Sequence, residues 1–367
     1  MFGANKRSTR KRIQADRTPS AERISVVLPV LNEAPRIAGC LDGLIGQSEE
    51  VEEILVVDGG STDGTQAIVA RYSERDHRVR LLDASPIDPQ WTGKVWGLHF
   101  GLRRSDPSCG WILCVDADVR VAPLLTRSLL AHTGRIGVAT FSVATQQKLS
   151  GKLEAMIHPS MLTTLVYRYG APGKVTRSIH KVQANGQCFF SPREVLLRTE
   201  AFRNARASLC EDITIARRLA ECGERVGFYE ADPGLVDVQM YSSWRETWAN
   251  WPRSLPMRDQ YFGWREVAGL LGILLLQALP LPALLLGIAF GAPLGFILFS
   301  GVLLAMRIGV LIGIARAYPA RPWAFWLSPL CDLPVVLRII EFALRRRHNW
   351  RGRTYVRRKG GIFEPLA

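Results

Sequence analysis

The sequence has no paired arrangement of cysteines, and this absence excludes two kinds of site. Its seven cysteines are scattered, odd in number and form no C-x-x-C pair. A disulfide framework and a cysteine zinc site are therefore excluded, and a reduced, cytoplasmic catalytic region is expected. The pattern G-x-G-x-x-G is also missing after the first predicted strand, which argues against a dinucleotide oxidoreductase.

Acidic residues are scarce at the two ends of the chain. The formal net charge is +14; residues 1–23 hold seven Lys/Arg against two acids, and residues 345–359 hold eight Lys/Arg and no acid. Basic ends around a nearly neutral body indicate contact with anionic lipid head groups. Nucleic-acid binding is the less favoured alternative, because the basic residues flank apolar segments instead of lining a recognition motif.

The first two-thirds of the chain lacks long apolar runs and shows a regular alternation instead. Residues 1–22 are expected to form a disordered basic tail. From residue 23 to residue 240, short apolar runs alternate with amphipathic stretches, which predicts an α/β fold with a mostly parallel sheet covered on both faces. The expected strands are 24–30, 54–57, 79–82, 111–115 and 138–143, and the expected helices are 35–45, 63–74, 94–104 and 123–132.

Long apolar runs are confined to the last third. Residues 267–290 carry no charge and residues 292–315 carry only Arg307. Each run is long enough to cross a bilayer, so two transmembrane helices are predicted within residues 265–316. The alternative is a buried helical core of a soluble protein.

The segments around the two predicted spans suit a membrane surface. Residues 241–264 are rich in tryptophan and arginine, as expected of an interfacial segment. Residues 317–344 are predicted to be interfacial or re-entrant. Positive-inside bias places residues 345–367, a basic tail, and the catalytic region in the cytoplasm.

Two polar motifs follow the first two predicted strands. Asn32 and Glu33 follow the first, and Asp58 ends the second, before a run of small residues. Open parallel sheets bind ligands beyond the carboxyl ends of their strands, so both loops should face one crevice. A turn followed by a helix cap explains the same residues without a ligand.

A third motif, Asp116-Ala117-Asp118, follows the strand that ends at Val115. Alternation directs Asp116 and Asp118 to the same side. Two such close carboxylates repel unless a cation lies near them, and oxygen ligands favour Mg²⁺ or Mn²⁺, which in turn bind a diphosphate.

Taken together, segments 24–33, 56–64, 93–94 and 115–118 resemble the nucleotide-sugar half of glycosyltransferase family 2, which has the GT-A fold. The resemblance extends from about residue 24 to about residue 262. It implies contact of Asp58 with the nucleobase, with Asn32 and Glu33 nearby, and it implies that Lys94 lies along the nucleotide. It also implies contact of Asp116 with the ribose or sugar, and a divalent cation held by Asp118 on the diphosphate.

The resemblance extends to the acceptor side. Glu211-Asp212 resembles the acidic pair that opens a helix beside the acceptor, where the Asp is the general base. A carboxylate is needed to take the acceptor proton, and a helix N-terminus keeps it ionised. Acidic residues at a helix N-terminus also stabilise the helix, so a purely stabilising role of Glu211-Asp212 is the alternative. Gly186-Gln187 resembles the loop beneath donor sugar and acceptor.

Trp251-Pro252-Arg253 lies where polymerising relatives carry Q/R-x-x-R-W, with Arg on the diphosphate and Trp under the acceptor. The order of Trp and Arg is reversed here. The reversal and the two spans argue against a cellulose-synthase-like polymerase, and a membrane-interface role for Trp251 and Arg253 is the alternative.

Residues 349–355 resemble the W-x-G-R-x-Y segment of membrane glycosyltransferases acting on ceramide, hopanoids and bacterial carotenoids. The sequence therefore predicts inverting transfer of one sugar, glucose from UDP-glucose, to a hydroxyl of a lipid such as a carotenoid or other polyprenoid. A polyprenyl-phosphate glycosyltransferase is the nearest alternative. A non-catalytic protein that binds nucleotide-sugar or lipid is the alternative from another class.

Overall fold

A nine-stranded sheet dominates residues 12–350 and 353–366, the part of the chain that the computed structural model describes. Fifteen strands are present within these residues: β1 (Arg12–Ile13), β2 (Ile24–Val30), β3 (Val51–Asp58), β4 (Val79–Asp83), β5 (Trp111–Val115), β6 (Val119–Val121), β7 (Thr140–Ala144), β8 (Gln146–Gln147), β9 (Lys174–Thr176), β10 (Cys188–Pro192), β11 (Val226–Ala231), β12 (Val236–Val238), β13 (Arg347–Trp350), β14 (Arg353–Arg357) and β15 (Phe363–Pro365).

The main sheet has the order β1-β11-β7-β10-β5-β2-β3-β4, with β9 also paired to β11. Strands β5, β2, β3 and β4 are mutually parallel, as the sequence predicts. Strand β10 runs antiparallel to both β5 and β7, which the sequence does not reveal. The sheet is therefore mixed, but mostly parallel.

Helices cover both faces of the sheet because successive strand residues point to opposite sides. Val26 and Leu28 pack under α1, α2 and α4, whereas Val27 packs under α3, α7 and α8. The α-helices are α1 (Ala34–Ile45), α2 (Thr65–Arg75), α3 (Gly93–Arg104), α4 (Leu125–Ile136), α5 (Lys152–Tyr169), α6 (Arg193–Arg198), α7 (Ala201–Asn204), α8 (Glu211–Glu221), α9 (Trp244–Asn250), α10 (Trp264–Ile273), α11 (Pro280–Ala289), α12 (Leu294–Ile314) and α13 (Asp332–Leu344).

The prediction of a disordered tail over residues 1–22 is wrong for residues 12–22, and residues 1–11 lie outside the described part. Strand β1 pairs in parallel with β11, and Ile13 is fully buried. The Asp16 amide donates a hydrogen bond of 3.0 Å to Ser128 Oγ. An apolar residue amid basic ones is enough to dock this segment, because the sheet edge supplies its backbone partners.

The apolar region differs in shape from the prediction of two straight helices. Of the described helices, Leu294–Ala317 is long and apolar enough to cross a membrane, and Trp264–Ala278 with Pro280–Ala289 passes the same test only as a pair bent by 43°. The bend lies where a π-helical turn meets Pro280, a residue without an amide to donate. The stretch expected as one span is therefore broken.

Arg307, the charge within the second apolar run, is fully buried in an ion pair. Its guanidinium donates to Asp332 Oδ2 at 2.7 Å and Oδ1 at 2.9 Å, and to Ser328 Oγ at 3.0 Å. Ser160 of α5 and Gln277 also donate to Asp332 Oδ1. This network fastens α12 and α13 to α5, a helix of the N-terminal two-thirds.

The predicted basic tail over residues 345–367 is instead a folded sheet, in the order β13-β14-β15. Tyr355 and Phe363 are 1% and 3% exposed and pack against Leu209 of the main domain. Tyr355 and Phe363 share one face of this sheet, because Tyr355 pairs with Pro365 and Arg357 pairs with Phe363. Residues 351, 352 and 367 lie outside the described part.

Candidate active site

A cavity of about 350 Å³ opens at the carboxyl ends of β2, β3 and β5, where the fold rule for open sheets locates ligands. Val30 and Val57 line it from the strand ends. Ten of the residues predicted from sequence also line it: Glu33, Lys94, Asp116, Asp118, Gly186, Gln187, Glu211, Asp212, Trp251 and Arg253.

Asp116 and Asp118 project into the cavity just beyond β5. Among the residues with described positions, the buried Oδ1 atom of Asp118 has no hydrogen-bond partner. Burial, and then the Asp116 carboxylate, raise the pKa of Asp118 to about 7. An unsatisfied buried carboxylate is unfavourable unless a proton or a cation joins it.

Lys94 joins two carboxylates from different parts of the chain. Its ammonium lies 2.8 Å from Asp116 and 2.8 Å from Glu211. Burial lowers the pKa of Lys94, but Asp116 and Glu211 outweigh this effect, and the pKa stands well above its usual value. Lys94 is therefore a fixed positive charge that links the strand-end loop to helix α8.

Asp212 occupies the first turn of α8. Its Oδ1 accepts a hydrogen bond from the Ile213 amide at 2.8 Å, and its Oδ2 accepts one from the Gly186 amide at 3.3 Å. Burial, and then the neighbouring Glu211 carboxylate, raise the pKa of Asp212 to about 7. A carboxylate with such a pKa can accept a proton near neutral pH.

The loop before β10 brings backbone close to these charges. A Cβ on Gly186 would lie 2.8 Å from Lys94 Nζ, so glycine is needed for this approach. Gln187 is 5% exposed, and its Oε1 accepts hydrogen bonds from Thr145 at 2.5 Å and Asn185 at 2.8 Å. Gln187 therefore orders the loop more than it offers its amide to a ligand.

Asp58 does not line the cavity, and contact of its side chain with a nucleobase stays a prediction. Asp58 is fully buried, and its carboxylate accepts hydrogen bonds from the amides of Gly60 and Ser61 and from Gln66 Nε2 at 2.6 Å. These donors satisfy the carboxylate. Asp58 shapes the loop that follows β3, while its neighbours line the cavity.

Asn32 likewise supports a loop and does not line the cavity. It has a positive φ of 56°, its Oδ1 accepts from the Thr62 amide at 2.9 Å, and its amide donates to Ser61 Oγ at 2.8 Å. Asparagine tolerates this conformation better than most residues. The two strand-end loops are therefore tied to each other beside the cavity.

Trp251 and Arg253 belong to a short 3₁₀ helix, Trp251–Arg253, that closes one side of the cavity. Trp251 is 9% exposed, and its ring centroid lies 4.2 Å from that of His158 on α5. The reversed order of tryptophan and arginine therefore still brings both residues to the cavity.

Several lining residues were missed from the sequence, among them Tyr241, Glu246, Arg353 and Tyr355. Glu246 pairs with Arg36 at 2.8 Å, which links the segment after β12 to helix α1. Arg353 and Tyr355 lie in the segment assigned to a tail. Their alternate spacing, typical of one strand face, is the signal that could have found them.

Comparison with known proteins agrees with this geometry. Residues 25–199 match the model for glycosyl transferase family 2. The match covers 175 of the 367 residues and shows the similarity of this region to that family. The matched range includes both strand-end loops, Lys94, Asp116, Asp118 and Gly186 of the cavity, and it stops before Asp212.

Two curated relatives match parts of this glycosyltransferase domain. Glycosyltransferase GlyA of Streptococcus pneumoniae is 39% identical over 97 residues, covering 26% of this chain and 13% of GlyA. Poly-beta-1,6-N-acetyl-D-glucosamine synthase of Staphylococcus aureus is 26% identical over 147 residues, covering 38% of this chain and 34% of the synthase. The chain spans about a third or less of the length of these relatives.

A solved structure extends the likeness of fold beyond the glycosyltransferase domain. The mannosyltransferase PcManGT from Pyrobaculum calidifontis, in complex with GDP-Man and Mn²⁺, aligns with a TM-score of 0.53. The alignment covers 89% of this chain and 90% of that one, at 19% identity. The two share a fold of the GT-A type.

Proposed function

We propose that this protein is a membrane-bound, inverting glycosyltransferase that moves one sugar from a nucleotide-activated donor to a lipid acceptor. The expected donor is UDP-glucose, and the expected acceptor is a hydroxyl of a carotenoid or other polyprenoid. The observation that carries the proposal is the presence of the Asp118 and Asp212 carboxylates in one cavity of about 350 Å³ in a chain that is similar to glycosyltransferase family 2.

The chain's own residues supply the acid–base part of the reaction. Asp212, with a pKa of about 7, takes the proton of the acceptor hydroxyl as the new glycosidic bond forms. The Gly186 and Ile213 amides hold its two oxygens in place. Lys94 balances the negative charge of Asp116 and Glu211 while an anionic donor is bound.

A divalent cation, Mg²⁺ or Mn²⁺, suits the residues around Asp118. Its partnerless Oδ1 atom is a ready oxygen ligand. No cluster of three or more His, Cys, Asp or Glu residues able to hold a metal occurs in residues 12–350 and 353–366. The remaining ligands are therefore expected to be diphosphate oxygens and water, as is usual for Mg²⁺. Such a cation stabilises the charge that develops on the leaving diphosphate.

The apolar side of the cavity supports a lipid acceptor. Trp251 lines the cavity and also packs in one cluster with apolar residues of α5, α10 and α13. Beyond that cluster, α11 and α12 expose large apolar side chains, including Ile288 at 60% and Phe299 at 63%. Exposed apolar surface of this kind favours burial in a bilayer, with the catalytic domain on the cytoplasmic side.

The test is transfer of labelled glucose from UDP-glucose into extracted lipid by membranes containing the full chain. We expect lipid labelling that depends on a divalent cation and that Asp212→Asn lowers by about two orders of magnitude or more. Substantial activity of Asp212→Asn would favour a polyprenyl-phosphate acceptor, since a phosphate needs no base. Absence of lipid labelling with any nucleotide-sugar would refute the proposal and leave the non-catalytic alternative.

A further inference from the structure

The segment beyond the apolar helices returns to the catalytic domain and is held there by specific contacts. The Phe363 amide donates a hydrogen bond of 2.9 Å to the Ala207 carbonyl. Gly361 has a positive φ of 74°, and a Cβ at this position would lie 2.1 Å from the Asp259 carbonyl oxygen. Only glycine permits so close an approach of the two backbones. The glycine at position 361 therefore favours this docked position of the segment.

Strand β14 of this docked sheet contributes two side chains to the cavity wall. Arg353 and Tyr355 are separated by two positions, so they share one face of the strand, and both line the cavity. Burial raises the pKa of the Tyr355 hydroxyl and the nearby Arg353 guanidinium lowers it, so these two side chains lie near each other on the wall. Gly93, the residue before Lys94, lines the same cavity, so Tyr355 and the start of the helix that carries this lysine face one space.

Two arginines contribute to the wall formed in this way. Arg253 and Arg353 come from regions 100 positions apart, line the same cavity, and both lie close enough to Tyr355 to affect its electrostatics. Within the described part of the chain, no carboxylate forms an ion pair with Arg353. A guanidinium on a cavity wall without a carboxylate partner favours binding of an anion, because the anion balances its charge.

We propose that Arg353 and Tyr355 complete the donor site, with the Arg353 guanidinium binding the diphosphate of the nucleotide-sugar beside Arg253. The proposal rests on the proposed function. A planar guanidinium matches the spacing of phosphate oxygens and forms paired, charge-assisted hydrogen bonds. Tyr355, buried against Leu209 and Phe363, fixes the position of the strand that carries Arg353. The segment after the apolar helices therefore forms part of the donor-binding site.

The experiment measures binding of nucleoside diphosphates to the purified full chain in detergent, so no acceptor is required. UDP and GDP are titrated by calorimetry in the presence of Mn²⁺. The nucleoside of whichever diphosphate binds is then titrated in the same way for comparison. We expect Arg353→Ala to weaken diphosphate binding by about tenfold to a hundredfold. Binding of the nucleoside should be unchanged. Arg353→Lys should weaken diphosphate binding less than Arg353→Ala does, because lysine keeps the positive charge.

The matched control is Arg358→Ala. Arg358 belongs to the same basic segment but is exposed and paired with Glu364 at 2.7 Å, away from the cavity. Arg358→Ala should leave the affinities for the nucleoside diphosphate and for the nucleoside unchanged. If Arg353→Ala does not fold, as judged by its melting temperature, Arg353→Gln replaces it with the same expectation.

The proposal is overturned if the unaltered protein binds the diphosphate and the folded Arg353 variant binds it equally well. If Arg353→Ala instead raises only the acceptor KM in the lipid-labelling assay, with diphosphate binding unchanged, the proposal is also overturned and the arginine is assigned to an acceptor phosphate. If the unaltered protein binds no nucleoside diphosphate at all, the proposed function itself is refuted, and this outcome is distinct from a failure of the Arg353 proposal alone.

Discussion

Asp212→Asn should make the protein more stable at alkaline pH while removing its activity. In the folded protein the pKa of Asp212 is raised from 3.8 to about 7, first by burial and then by Glu211. Between these two pH values the folded state retains a proton that the unfolded state has lost. The free energy of unfolding of the wild type therefore falls as pH rises through this window, and the full penalty is present above pH 7.

The size of the effect follows from the same two values. A rise in the pKa from 3.8 to about 7 corresponds to a change of about 4 kcal/mol in the free energy of unfolding for a carboxylate shielded from water, at about 1.4 kcal/mol for each pKa unit. Asp212 is only half-buried, so we halve this figure to about 2 kcal/mol. Asparagine has nearly the same shape and carries no charge, so the variant should avoid the penalty.

The assay is denaturant unfolding of the purified protein without divalent cation or donor, at intervals from pH 4 to pH 8.5. The stability difference between Asp212→Asn and wild type should be small at pH 4 and favour the variant by about 2 kcal/mol at pH 8. Glu74→Gln, at an exposed position of α2, serves as the control and should show no such trend. A difference that is constant with pH, or that favours the wild type at pH 8, would refute the electrostatic account of Asp212.

Three further predictions concern the cation, the core and the glycine loop. Chelation should abolish sugar transfer and added Mn²⁺ or Mg²⁺ should restore it, whereas Asp118→Asn should stay inactive with either ion. Arg217→Met should lower the free energy of unfolding by about 3–5 kcal/mol, because it leaves two carboxylates buried without their cation; a loss below 1 kcal/mol in a denaturant titration would contradict this. Gly186→Ala should reduce transfer severalfold or more with little change in melting temperature, because its Cβ would lie 2.8 Å from Lys94 Nζ. Gly134→Ala, where a Cβ meets nothing within 4 Å, should keep activity and stabilise helix α4 by about 1 kcal/mol.

The sequence predicted the central parallel strands and their helices well, because local patterns determine them. Strands β2 and β5 have the bounds that their apolar runs predict, and helix α3 begins one residue before its predicted start. The carboxyl ends of these strands necessarily lie at one sheet edge. This is why Asp116 and Asp118 could be assigned to this edge of the sheet before the structure was known. Asp212 was assigned to the same cavity through the family resemblance and does line it, whereas Asp58, which was assigned with them, does not.

Features that depend on distant contacts could not be predicted in the same way. The antiparallel direction of β10 leaves no mark in its apolar run, since either direction buries the same faces. Asp58 is a different case, because its donors Gly60, Ser61 and Gln66 are close in sequence, but only the geometry of the turn brings them to its carboxylate. The docking of β14 depends on Leu209, about 145 positions earlier, and composition alone suggested a solvated basic tail.

The burial of Arg307 against Asp332 has a consequence for how the chain is synthesised. The two residues are 25 positions apart, so the helix that contains the arginine is complete before the ribosome adds the aspartate. In the proposed membrane-bound state, the arginine is an uncompensated charge in an apolar helix until Asp332 has left the ribosome, at a cost of about 2.5–3.5 kcal/mol in a bilayer. Release of the nascent polypeptide between these two points would leave a helix poorly retained by lipid. Stable integration of the helix should therefore coincide with the emergence of α13 from the ribosome.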